Sequence, residues 1–229
     1  MKLNIGLQMT ALAGLLALGA VSAANATVIS GTGTYGSFSG SLTYSATTNT
    51  TASLTIGLTN TSPIANGGYI TAFLLNNPSN QITSISTFTD PGGNFSLIPL
   101  GDNTANGAPH GQFDFGATTG GGTFEGGGMP SKGIAVGKSL TFNFTLAGTN
   151  LSSLTDNSFL TAFSTGTGIG DGAASFEVRF RGFADDRSDK VVLGGSDSTP
   201  GTVGIPEPVS MALLGAGLVG LGLLRRQPK

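Results

Sequence analysis

Apolar and hydroxyl residues take turns along the first clear segment of the chain. Phe38, Gly40, Leu42, Tyr44 and Ala46 fall on one face, and Ser39, Ser41, Thr43 and Ser45 on the other. After Thr47-Thr48-Asn49-Thr50 the alternation resumes, with Ala52, Leu54, Ile56 and Leu58 against Ser53, Thr55 and Gly57. A period of two with Ser and Thr outward is the pattern of a half-buried strand. The two segments predict an antiparallel hairpin, ended by Asn60-Thr61-Ser62-Pro63.

Further strands follow by the same rule. Tyr69 to Leu75 is almost wholly apolar and rich in β-formers, which predicts a buried strand. Asn76-Asn77-Pro78 is a turn, and Gln81 to Phe88 alternates again. Lys138 to Ala147 sets Leu140, Phe142, Phe144 and Leu146 against Thr141, Asn143 and Thr145, a core strand. Asn150 to Asn157 suits one helical turn, and Phe159 to Phe163 another strand. In Ser175 to Phe183, Phe176, Val178 and Phe180 alternate with Glu177, Arg179 and Arg181. Charges of both signs on one face predict a solvated surface with cross-strand pairing. Lys190 to Leu193 is placed to pair back across the Ala184-to-Asp189 turn.

Between these strands, residues 90–130 hold three prolines before Pro130 and two glycine triplets, with Phe95, Phe113, Phe115 and Phe124 scattered among them. They predict a long loop pinned by its phenylalanines, with one short strand at Gln112 to Gly116. The sum is an all-β domain, an antiparallel β-sandwich or jelly-roll-like fold, over residues 27–193.

The flanks follow a different pattern. Lys2 precedes an apolar run to Val21, and Ala24-Asn25-Ala26 matches an A-x-A cleavage site. Residues 1–26 are therefore expected to be a signal peptide cut after Ala26. Cleavage after Ala23 and an uncleaved signal anchor are the alternatives. Residues 194–205, rich in Gly, Ser, Thr and Pro, are expected to be a flexible linker. Pro206-Glu207-Pro208 comes next, with prolines that favour an extended peptide. The 16 residues Val209 to Leu224 are apolar except Ser210, and as a helix they span about 24 Å. That is short against a hydrocarbon core of about 30 Å, a gap that snorkelling of Arg225 and Arg226 closes. The arginines then lie on the cytoplasmic side and Glu207 outside.

This order of proline-flanked glutamate, membrane helix and basic cluster over residues 206–229 resembles the PEP-CTERM sorting signal of exosortase substrates. The resemblance implies export, transient anchoring in the inner membrane facing the periplasm, cutting near Pro206-Glu207-Pro208, and delivery to the cell surface or extracellular matrix. It implies an exosortase as partner, with the catalytic cysteine on that enzyme. A permanent tail anchor is the competing reading. The segment Val178 to Gly182 with Ser188 to Val191 resembles a closing hairpin of several PEP-CTERM proteins and names no activity.

Composition narrows the chemistry. The chain has no cysteine, which excludes disulfides and thiolate chemistry, and a single histidine, which excludes any site needing two. Setting aside Lys2, Arg225, Arg226, Lys229 and Glu207 leaves 6 basic and 11 acidic residues, a net of −5. No basic patch forms, so nucleic acid is not an expected partner.

Motif by motif, little catalysis is found. Gly215 to Gly220 spells G-x-G-x-x-G, but inside the apolar run and without the strand a dinucleotide site needs. Gly137-Lys138-Ser139 imitates a phosphate loop yet leads into a strand. His110 reads as an exposed loop imidazole. Asp114 and Glu125 are candidates for a glycosidase pair only because they flank the glycine-rich loop. Asp185, Asp186 and Asp189 offer a calcium cluster, but Arg187 and Lys190 among them favour a solvated turn. The sequons at Asn49, Asn60, Asn94, Asn143 and Asn150 are expected by chance in so Asn- and Thr-rich a chain.

The expected function is a non-enzymatic, exosortase-processed surface or matrix protein with a structural or adhesive β body and no cofactor. Extracellular polysaccharide is a possible partner. The alternatives are a carbohydrate-binding module, a secreted hydrolase, and an ice-binding protein, although no regular Thr-x-Thr array is evident along the chain.

Overall fold

The computed structural model describes residues 26–125 and 127–194. The expected signal peptide through Asn25, the linker beyond Gly194, and the tail with Pro206, Glu207, Pro208, Arg225 and Arg226 lie outside the described residues.

The described chain is all-β, with every strand pairing antiparallel and one short helix, α1 (Asp156–Leu160). The first sheet holds β1 (Thr27–Thr32), β2 (Ser37–Ala46), β3 (Thr51–Asn60), β5 (Ile82–Thr89) and β11 (Ser139–Gly148), in the order β1-β2-β3-β11-β5. The second holds β4 (Gly67–Leu75), β6 (Ser96–Ile98), β9 (Phe115–Thr118), β13 (Phe176–Phe183) and β14 (Ser188–Val192), in the order β14-β13-β4-β9-β6. The short β10 (Ile134–Ala135) adds to β4 at Tyr69 and Ile70. A small third sheet joins β7 (Ala105–Asn106), β8 (His110–Phe113) and β12 (Thr165–Ile169) in the order β12-β8-β7.

The expected hairpin is β2–β3, in register from Phe38↔Asn60 to Ala46↔Ala52. Its inward residues meet those of the second sheet in one core. Phe73 of β4 lies 4.8 Å, ring to ring, from Phe142 of β11, and Phe38 of β2 lies 5.8 Å from Phe176 of β13. Aromatic pairs at such separations add to the burial of each ring.

On its outer side the first sheet carries hydroxyls in rows. Ser39, Thr59 and Ser139 are opposite one another, as are Thr43, Thr55 and Asn143. Thr55 Oγ1 donates to Asn143 Oδ1 at 3.0 Å, and Thr87 Oγ1 to Thr145 Oγ1 at 2.6 Å. None of the five strands contains a charged residue. The rows run across strands, which is why reading along the chain does not display them.

Several expectations need correction. The segment 90–130 is not one loop with a strand at Gln112 to Gly116. It contributes β6 to β9, with Asp114 separating β8 from β9. Phe159 to Phe163 is not a strand: Phe159 and Leu160 are buried on α1, and the strand that follows is β12. β1 was not expected at all. β14 pairs back on β13 as expected, but from Ser188, two residues early.

The largest difference concerns the face of β13 that bears Glu177 and Arg179. It is not solvated. A second apolar cluster of Ala72, Leu74, Ile98, Ala105, Phe113 and Phe124 covers that side of the second sheet. With both faces buried, β4 needs no polar alternation, which is the physical reason for its unbroken apolar run.

Candidate functional site

The covered side of the second sheet gathers five ionisable side chains. Alternation along β13 sends Phe176, Val178 and Phe180 into the main core and Glu177 and Arg179 to the opposite side. β7 and β8 fold over that side and bring His110 with them. The His110 Nδ1 and Glu177 Oε1 share a hydrogen bond of 2.9 Å. Glu177 is 0% exposed and His110 6%, so the exposed imidazole expected from sequence is a buried one.

Glu177 Oε2 is buried without a hydrogen-bond partner. A Cβ at residue 107 would stand 2.3 Å from it, so Gly107 is the residue that lets the β7–β8 turn approach so closely. Burial pushes the Glu177 carboxyl above its ordinary range; the hydrogen bond and charge of His110 and the charge of Lys190 oppose this, and Glu125 adds to the rise.

Above this pair sits a surface layer. Arg179 Nη1 donates to the Phe124 carbonyl at 2.9 Å and pairs with Glu125 Oε2 at 2.7 Å. Lys190 Nζ donates to Glu125 Oε1 and to the Ala108 carbonyl, and lies 5.4 Å from the centre of the Phe124 ring. Burial lowers the Arg179 pKa, as does Arg181, with Glu125 opposing. Glu125 is thus held by two cations while its side chain stays 48% exposed.

Beside Glu125 opens a cleft of about 400 Å³, between the segment from β6 to β7 and residues 122–125. Its apolar floor is Ile98, Ala105 and Phe124, each under 10% exposed and shared with the second core cluster. Thr104, Asn106, Thr123 and Glu125 are exposed at its rim.

The structure does not bring Asp114 and Glu125 into a shared site. Asp114 is buried and accepts backbone N–H groups from Asn77 at 2.6 Å and Asn103 at 2.7 Å, a structural clamp between β8 and the loops it faces. Asp189 accepts from the backbone of Tyr35 at 2.8 Å and Gly36 at 2.9 Å, and Asp185 pairs with Arg187 at 2.7 Å. These partners occupy two of the three carboxylates of the calcium candidate. Among the described residues no cluster of three metal-ligating side chains occurs. Ser164 Oγ donates to the His110 carbonyl, not to its imidazole, so no serine–histidine couple forms there.

What this arrangement does chemically follows from access. Glu177 cannot touch a substrate while fully buried, and the imidazole it holds by Nδ1 is itself only 6% exposed. Glu125 is an ion-paired acceptor, a group that binds and orients. The five residues are separated by up to 80 positions in sequence, and only one signal pointed to them: a strand as continuously apolar as Tyr69 to Leu75 must be covered on both sides, and so must its neighbour β13.

No family model, no curated protein and no solved structure matches this chain.

Proposed function

We propose that this chain is an exported protein that a C-terminal helix parks at the inner membrane and an exosortase releases. Its β-sandwich body then serves a non-catalytic structural or adhesive role at the cell surface or in the extracellular matrix. One observation carries the reading: Pro206-Glu207-Pro208, the apolar run Val209 to Leu224 and Arg225-Arg226 follow one another in the order of a PEP-CTERM signal. The arginines act as a stop, since placing one at mid-bilayer costs about 2.5–3.5 kcal/mol on the insertion scale. The uncharged hydroxyl face of the first sheet supports a role outside the cell among neutral polymers.

Mass spectrometry of surface-released protein, from cells with and without the exosortase, tests this. The expected mature C-terminus lies near residue 206 and appears only when the enzyme is present. Release of Glu207→Ala should fall if that carboxylate is what the enzyme recognises. Mature protein that retains its tail through Lys229 would make the segment a plain anchor and overturn the proposal.

A further inference from the structure

The cleft beside Glu125 combines three features that belong together in one kind of ligand site. The first is an apolar floor: Ile98, Ala105 and Phe124 offer carbon atoms and no charge. The second is a fixed acceptor. Glu125 is held from behind by Arg179 and Lys190, which leaves about half of its side-chain surface free. The third is a set of neutral donors and acceptors facing the same space. Asn106 spends its Oδ1 on the Ala108 N–H at 3.1 Å and the Gln112 amide at 3.3 Å, which leaves its NH₂ as a donor. Thr104 donates its hydroxyl to the Gly101 carbonyl at 3.2 Å and keeps its lone pairs as acceptors. The Thr123 hydroxyl supplies both.

The charges decide what fits. Glu125 lines the cleft while Arg179 and Lys190 do not, so an anion meets the carboxylate first, and a cation meets a carboxylate that already has two cationic partners. A neutral ligand loses nothing. It must present O–H groups to a carboxylate, an acceptor to an amide NH₂, and a C–H face to an apolar floor. A pyranose ring does all three, because adjacent equatorial hydroxyls project from the edge of a ring whose faces are hydrocarbon. The volume of about 400 Å³ lies within the range of about 300–1,000 Å³ usual for small-ligand sites.

We infer that this cleft is a saccharide-binding site that takes one neutral hexopyranose unit, with Glu125 and Asn106 holding its hydroxyls over Ile98, Ala105 and Phe124. The inference goes beyond the proposed function: it does not depend on how the protein is sorted, and binding to purified protein is indifferent to whether the tail is cut.

The test is NMR titration of the purified full-length protein with methyl glucoside, methyl galactoside and methyl mannoside. Glucuronate, glucosamine and cyclohexanol serve as anionic, cationic and apolar comparisons. The expected result is saturable binding of at least one neutral glycoside, weaker binding of both charged sugars, and shifts concentrated at Asn106, Thr123 and Glu125. Asn106→Ala and Glu125→Gln should each weaken that binding by about tenfold, the scale of one hydrogen bond to a charged or oriented partner. Because Glu125 also holds Arg179 and Lys190, Thr123→Ala is the control for folding: it removes only an exposed hydroxyl, and it should still weaken binding measurably. Failure of all three glycosides to saturate would overturn the inference. So would unchanged affinity in both Asn106→Ala and Thr123→Ala, or cyclohexanol binding as well as the sugars.

Discussion

Glu177 is the residue whose environment departs furthest from what its neighbours in sequence suggest. Between two core residues of a strand that also carries Arg179 and Arg181, it reads as a solvated charge. In the fold it is fully buried, with one oxygen on His110 and the other facing Gly107. Its pKa is raised above the ordinary glutamate value, chiefly by burial. Below that value the carboxyl is protonated in the folded and unfolded chain alike, and no ionisation cost arises. As pH rises, the unfolded chain loses its proton first, so Glu177 lowers stability until the folded-state pKa is passed, after which the effect is constant. Glu177→Gln removes this pH dependence. The melting temperature of wild type relative to Glu177→Gln should therefore fall as pH rises from the ordinary carboxylate range towards neutrality. His110, Lys190 and Glu125 face the same carboxyl and remain in both proteins. A difference independent of pH would show that Glu177 titrates as an ordinary exposed carboxylate.

A strand such as β11 shows how sharply one element divides its two faces. Phe144 points inward, 5.0 Å from Phe88 and 5.9 Å from Phe115, while the adjacent Thr145 is exposed, its hydroxyl bonded to that of Thr87 and its carbonyl accepting from Ser86 Oγ besides its own ladder. Phe144→Ala should cost about 3–5 kcal/mol through lost burial and the cavity left behind. Thr145→Ala should cost about 0.2–1 kcal/mol, the worth of a cross-strand pair. Urea denaturation of the two variants measures both. Comparable losses would mean that the outer face is covered in solution. Strands of this kind were legible beforehand, since alternation over ten residues has no helical reading. The two-residue β7 was not, and the four-residue β8 and β9 were expected only as one strand at Gln112 to Gly116, because segments so short carry no period. The apolar pair Phe159-Leu160 suits a strand or a helix equally, and α1 resolved it by burying both side chains at once.

Taken whole, the molecule closes where its first and last described strands meet. The Gly194 N–H donates to the Ser30 carbonyl at 2.9 Å, and a Cβ on Gly31 would lie 2.3 Å from the Val192 carbonyl oxygen. β1 belongs to one sheet and β14 to the other, so this contact ties the two sheets together at one edge. Gly31→Ala forces backbone apart and should cost about 1–3 kcal/mol, as overpacking does. In a domain of this size that lowers the melting temperature by about 2–4 °C per kcal/mol. Calorimetry of the full-length variant checks it, and an unchanged melting temperature would mean that the edge is open in solution.

Much of this architecture was already written in local pattern. Period-two alternation requires that β2, β3, β11 and β13 bury one face, because a pleated strand has no other way to segregate its side chains. The absence of cysteine, the single histidine and the proline-flanked glutamate before an apolar run are likewise properties of composition and order alone. Which strand lies beside which is another matter. The rows of hydroxyls on the first sheet exist because β3 pairs β2 on one side and β11, some 80 residues later, on the other. His110, Glu125, Glu177, Arg179 and Lys190 form one cluster only because a third layer folds over the second sheet. Burial on the far side of a strand depends on what chain covers it, and no periodicity within the strand records that.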